Sequence, residues 1–252
     1  MKGAAATYDD PYRVYEICEG IYWVGFADRQ AGFSNNPYLL VKDGEAALID
    51  PGSLLHYHLV AKKVLTVVRP EQITTIIVQH QDPDLCASIP RFEALIEHPI
   101  RVVVHPRAAL FMPYYGVTSE LVQPDDGETL TIAGRRLQFI YTPYVHFAGA
   151  TMTWDAASGT LFASDVFGAF SKHWQLYADR SYFKHTRVFI EPFVGSQAAW
   201  DYAVRRTREL KPKRLCPQHG SIIEDHLEEY LDAVAEFRVG RMLPENMEKE
   251  EA

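Results

Sequence analysis

Six side chains of metal-binding type stand just after apolar, strand-like runs of this 252-residue sequence. His80, Asp82 and Asp84 follow "TTIIVQ", His146 lies in "YTPYVHFAGA", Asp165 closes "LFASD", and His219 ends "RLCPQH". Strand ends converge on one edge of a sheet, where polar groups from distant parts of a chain come to share a site. Three imidazoles and three carboxylates gathered there need counter-charge if they are to be buried. A pair of divalent cations supplies it. With one carboxylate bridging, each ion has three or four protein donors and keeps an open position for water or a small ligand. Taken singly, each residue has a plainer role. A loop His is commonly solvated, and "DPD" is an Asx-turn pattern. Turn chemistry does not explain six such positions, each at a strand end. His56, His58, His98, His105, His173, His185 and His226 lack that context and are expected on the surface or in the core. Cys86, just beyond Asp84, is expected as a buried thiol at a helix start.

The elements that must place these groups follow from periodicity. Runs at 20–26, 36–42 and 45–50 predict strands, with Asp43-Gly44 as a hairpin turn between the last two. Residues 54–69 carry helical spacing up to Pro70, and 74–79 is a β-branched strand of the kind buried on both faces. A helix near 88–97, a strand at 101–105 and a short helix follow. Strands are then expected within 128–142, at 150–156 and at 159–165, a helix at 196–210, a short strand in 214–220 and an amphipathic helix at 225–240. That order predicts an α+β fold of two packed mixed sheets flanked by helices, an αββα sandwich. A single domain over 1–252 is expected, with an acidic tail frayed from about 243 to 252.

Bulk properties narrow the function. The net charge of −8 gives no electrostatic support for a nucleic-acid or anionic-membrane partner. No apolar run reaches the roughly 18–20 residues that span a bilayer. The N-terminus lacks a signal-peptide layout, and three scattered cysteines without a CxxC pair suit a reducing compartment. The expectation is a cytoplasmic protein.

The order His-x-acid-x-Asp, His, Asp, His, preceded by "IDPG", resembles the metallo-β-lactamase superfamily, whose usual loop is HxHxDH. "HQDPDL" departs from it twice, with Asp82 for the second His and Leu85 for the last. Those departures look like the flavodiiron branch, whose loop is HxExD and whose metals are a di-iron pair. The Pro after Asp82 and the "CAS" after Leu85 look still nearer to oxygen-binding di-iron proteins that lack a flavodoxin domain. "SDVFG" and "PQHG" match that branch's bridging-Asp and last-His motifs. The resemblance implies a metallo-β-lactamase-like sandwich in which one iron takes His80, Asp82 and His146. The other takes Asp84 and His219, with Asp165 bridging. Asp82 is one methylene shorter than the Glu usual at its place.

Donor chemistry points the same way. Imidazole-rich neutral sites suit zinc, whereas a third carboxylate adds charge and hard oxygen donors that favour iron. Leu85, Tyr144, Phe147 and Phe167 are expected to keep the open positions dry, which suits a neutral diatomic gas. Tyr144 either offers its hydroxyl to that ligand or packs in the core. The sequence has no Gly/Ser/Thr-rich phosphate loop, so two irons without FMN are expected. The leading expectation is therefore a non-haem di-iron protein that binds O2. Its role would be sensing, or reduction of O2 or NO as an oxidoreductase fed by a separate flavoprotein or rubredoxin-type donor. A homodimer is left open. The main alternative is a dinuclear zinc hydrolase of the same fold acting on a thioester, lactone or phosphoester. A degenerate interaction domain is weakened by the survival of all six ligand positions.

Overall fold

The computed structural model describes residues 10–241, so the expected frayed tail lies outside the described residues. The first sheet begins as a meander. β1 (Tyr15–Cys18) turns at Gly20 into β2 (Ile21–Trp23), and β3 (Phe26–Asp28) and β4 (Phe33–Asn35) form a small separate hairpin. β5 (Tyr38–Lys42) and β6 (Glu45–Ile49) are joined through Asp43 and Gly44. Their φ values of 53° and 82° are what a two-residue hairpin turn needs. The chain then alternates: α1 (Tyr57–Leu65), β7 (Ile73–Val78), α2 (Pro83–Cys86), α3 (Ile89–Ile96) and β8 (Arg101–Val104). α4 (Pro106–Ala109), α5 (Met112–Tyr115) and β9 (Glu120–Val122) complete this half. The seven strands lie in the order β1-β2-β5-β6-β7-β8-β9, parallel from β6 onward.

The second sheet has five strands in sequence order. β10 (Thr129–Ile132), β11 (Arg135–Tyr141), β12 (Thr151–Asp155) and β13 (Thr160–Ser164) run antiparallel. After α6 (Phe183–Phe193) and α7 (Gln197–Leu210), β14 (Arg214–Pro217) adds parallel to β13, and α8 (Leu227–Glu236) follows.

Side-chain alternation sorts the layers. Leu40, Ile49 and Ile77 meet Leu137, Phe139 and Phe162 between the two sheets. Their neighbours Leu39, Leu48 and Ile76 face the other way, against Val60, Val64 and Phe92 of α1 and α3. On the far side, Met152, Leu161 and Leu215 pack with Ile190, Trp200 and Leu231 of α6, α7 and α8. The result is helix, sheet, sheet, helix, as expected. Three details differ from the sequence reading. The strand at 20–26 is broken between Trp23 and Phe26, where the chain leaves the first sheet for the small hairpin, and Gly25 there lies against the Asn35 carbonyl and the backbone of Asn36 with no room for a Cβ. The short strands β1, β4 and β9 have no strong pattern of their own. α6 has no counterpart in the sequence reading, although Pro192 lies near its C-terminal end. That proline sits in the last turn of the helix, which ends one residue later at Phe193.

Candidate metal centre

Each of the six groups stands just beyond the C-terminal end of a strand or in a loop beside one. His80 follows β7, with Asp82 as N-cap of α2 and Asp84 within it. His146 lies in the loop between β11 and β12. Asp165 follows β13 directly, and His219 follows β14. Because β13 and β14 are parallel, with Ser164 opposite Pro217, their ends carry Asp165 and His219 to the same edge. Gln79 locks the two sheets at that edge. Its backbone carbonyl accepts from Thr151 N at 3.0 Å, and its Nε2 donates to the Phe162 carbonyl at 2.7 Å. Gln79 N donates in turn to Asp50 Oδ1 at 2.8 Å. Asp50 is fully buried, and burial pushes its carboxyl well above the ordinary value.

The six donor groups assemble around Asp165, which is 1% exposed. Its Oδ2 lies 3.2 Å from His146 Nε2, and its Oδ1 lies 3.4 Å from His219 Nε2. The two carboxylate oxygens thus face two different imidazoles, as a bridging ligand must. On one side, Asp82 approaches His80 at 3.4 Å and His146 at 3.6 Å. The ligating atoms of His80, Asp82, His146 and Asp165 all lie within 4.8 Å of one another. On the other side, Asp84 Oδ2 lies 3.4 Å from His219 Nε2. The His219 ring is oriented from behind, because its Nδ1 donates to the Ser34 carbonyl at 2.6 Å and leaves Nε2 for the site.

Electrostatics suit a cation. Burial pushes the Asp165 carboxyl up, but the imidazoles of His146, His219 and His80 outweigh it and hold the group at about 2. Asp82 is only half-buried, and burial pushes its carboxyl up, yet His80 and His146 hold it below the ordinary carboxylate value. His146 is pulled down by burial and raised by more through Asp165, Asp82 and Asp84. Burial raises Asp84; His219 opposes that shift and Asp165 adds to it. Both ring nitrogens of His80 and Asp165 Oδ1 are buried without a hydrogen-bond partner. Orphaned donors of this kind at the centre of three acids fit metal ions.

The walls differ from expectation. Phe147 does stand edge-on to His80 at 5.8 Å, and Leu85 is buried. Phe167 packs away in the core against Trp200 and Tyr230. Tyr144 is neither a core residue nor enclosed. Its backbone is left-handed (φ 68°) and it is 58% exposed. The aromatic wall instead comes from Phe33, Phe170, Phe189 and Phe193. Phe33 and Phe189 lie 5.0 and 5.2 Å from His219, and Phe193 lies 5.2 Å from His146. Three of these four ride on or beside α6, the helix absent from the sequence reading. The Phe spacing at 189 and 193, one helical turn apart, was the signal that could have found it. Cys86 is buried and donates to the Gln81 and Asp82 carbonyls, bracing the loop without facing the donors. Of the histidines left outside the site, His56 stacks on Phe26 and His105 caps α4.

Comparison with known proteins agrees with this geometry. The family described as ODP family beta lactamase matches residues 33–220. The type A flavoprotein fprA of Rhodobacter capsulatus is 26% identical over 92% of this chain and 57% of its own length. The chain spans roughly 60% of the length of the curated relatives it matches most strongly, 61% and 57% for two of them. A mutant of the flavo di-iron protein from Thermotoga maritima superposes with a TM-score of 0.80 at 24% identity, covering 88% of this chain and 62% of that one. The chemotaxis sensor ODP from T. denticola, in its apo state, gives a TM-score of 0.73 at 23% identity over 93% of this chain and 98% of that one. The same sensor has been solved as a peroxy diiron species, with a TM-score of 0.76. These structural likenesses establish the fold.

Proposed function

The chain belongs to the ODP family of beta lactamases, and from that premise we propose that it is a di-iron protein that binds dioxygen. The observation that carries the reading is Asp165, whose two oxygens face His146 at 3.2 Å and His219 at 3.4 Å in the manner of a carboxylate shared by two ions. His80, Asp82 and His146 would complete one position; Asp84 and His219 would complete the other. A bound iron pair supplies the electrons that a neutral diatomic gas requires to be held tightly. The chain's own residues do the rest. Asp82, Asp84 and Asp165 supply negative charge and hard oxygen donors, which favour iron over zinc. Phe33, Phe189 and Phe193 line one side of the site with apolar rings. These rings offer few partners for a polar ester or lactam, which fits O2, or NO, better than a hydrated substrate.

The reading includes one domain over the chain and a cytoplasmic site of action. Among the described residues no helix is long and apolar enough to cross a membrane. Sensing is favoured over turnover by the likeness to the chemotaxis sensor ODP, which extends over 93% of this chain. Reduction of O2 or NO would draw on a separate flavoprotein or rubredoxin-type donor, and a homodimer is the assembly to test. The decisive experiment loads the metal-free protein anaerobically with equimolar iron and zinc, measures metals per chain, and then admits oxygen. Two irons per chain and a new visible absorption on exposure to oxygen are expected. Preferential zinc uptake with hydrolysis of a thioester or lactone would overturn the proposal.

A further inference from the structure

The two metal positions are built unequally. The first draws on four residues whose ligating atoms lie within 4.8 Å of one another. The second has Asp84 and His219 to itself and shares Asp165. Asp84 belongs to the segment after β7 in the first sheet, whereas His219 follows β14 in the second. Their spacing is therefore set by whatever joins those two segments.

Asn35 joins them. It is 1% exposed, and both ends of its amide are used. Nδ2 donates to the Asp84 carbonyl at 2.8 Å, and Oδ1 accepts from Gln218 Nε2 at 3.2 Å, next to His219. Gly52, from the "IDPG" run, makes room for this amide. Its φ is 94°, and a Cβ there would stand 3.2 Å from Asn35 Oδ1. Gly52 N also donates to the Leu85 carbonyl at 2.8 Å, and the Gly52 carbonyl accepts from Ser88 N at 3.1 Å, which holds the turn carrying Asp84. The residues beside Asn35 secure the other segment. Ser34 accepts from His219 Nδ1 through its carbonyl and from Gly220 N through Oγ, each at 2.6 Å. Asn36 Nδ2 donates to the Pro217 and Gly220 carbonyls at 2.9 and 3.0 Å.

We propose that Asn35 is a positioning residue that selectively governs retention of the metal at the Asp84–His219 position, an inference that rests on the di-iron reading above. It holds the main chain at Asp84 and the side chain beside His219 together, and so keeps their donor atoms 3.4 Å apart. The first position depends on it less, because His80 is anchored through Gln79 to β12 and β13 and His146 stands on the separate loop between β11 and β12. Removing the amide leaves the Asp84 carbonyl and Gln218 Nε2 without these partners. Losing an outer partner of a metal ligand typically weakens metal affinity by about 10- to 100-fold.

The test compares iron-loaded wild type with Asn35→Ala and the near-isosteric Asn35→Asp, which keeps the acceptor but loses the Nδ2 donor. Iron per chain and the time course of release into a chromogenic chelator are measured, with circular dichroism of the metal-free proteins as the folding control. Wild type is expected to hold two irons and release them in two phases. In both variants the fast phase should accelerate by about 10- to 100-fold while the slow phase stays put. A wild type holding fewer than two irons would remove the di-iron reading itself. Two irons in wild type, with both phases unchanged or both accelerated alike in the variants, would overturn the role assigned to Asn35.

Discussion

Replacing Asp165 by Asn neutralises the side chain proposed to serve both metal positions and nearly preserves its shape. In the metal-free protein two effects oppose each other. The change relieves repulsion with Asp84 and Asp82, but it deprives His146 and His219 of their anionic partner. The depressed carboxyl decides between them: it is lowered from 3.8 to about 2 despite complete burial, so pairing outweighs both desolvation and repulsion. At about 1.4 kcal/mol per pH unit, the folded state favours the carboxylate by roughly 2–3 kcal/mol. Because the folded value lies below the unfolded one, this stability is fully present above pH 3.8 and fades as pH falls toward 2. Urea denaturation of chelator-stripped protein near neutral pH should therefore find Asp165→Asn less stable by about 2–3 kcal/mol, with the gap closing in acid. After anaerobic loading, the variant should hold fewer than two irons. A variant as stable as wild type, or more so, would refute the reasoning. Repulsion among the three acids would then dominate, and the cluster would be tolerated only for its metals.

Three further outcomes are expected. Asp82→His exchanges a hard oxygen for a neutral nitrogen, so equimolar loading should shift the first position toward zinc and the iron form should show a higher reduction potential; metal ratios and redox titration equal to wild type would reduce Asp82 to a turn residue. Phe189→Ala removes a ring that is 3% exposed and stacks on Phe193 beside His219. It should cost about 3–5 kcal/mol in urea denaturation and speed iron loss to a chelator. Lys63 is buried, donates to the Pro11 and Gly25 carbonyls, and lies 4.2 Å over the Trp23 ring. Burial lowers its ammonium to about 7. Here the unfolded chain binds the extra proton, so stability should rise from about pH 7 to pH 10, by up to about 5 kcal/mol, in wild type and not in Lys63→Met. Parallel pH profiles of the two would show that the carbonyl cage keeps Lys63 charged.

What the sequence determined by itself was the chemistry and the layers. His80, Asp82, Asp84, His146, Asp165 and His219 announce themselves because each combines a metal-binding side chain with a strand end, and both features are local. Most strands of both sheets, β1 and β9 apart, and the helices α1, α3, α7 and α8 are likewise legible, because burial imposes a period on the residues that form them. Tertiary structure alone decided how these pieces meet. Asn35 and Gln79 are ordinary polar residues in sequence, and become cross-links only when folding brings Asp84 and Gln218, or Thr151 and Phe162, within hydrogen-bond reach. Phe167, expected at the metals, turned into the core, while Phe189 and Phe193 came to the site on a helix the sequence reading lacked. Period and residue type are carried by neighbours along the chain. Which ring faces a ligand, and which amide ties two loops, depends on contacts between residues far apart in sequence, and those exist only once the sheets have packed.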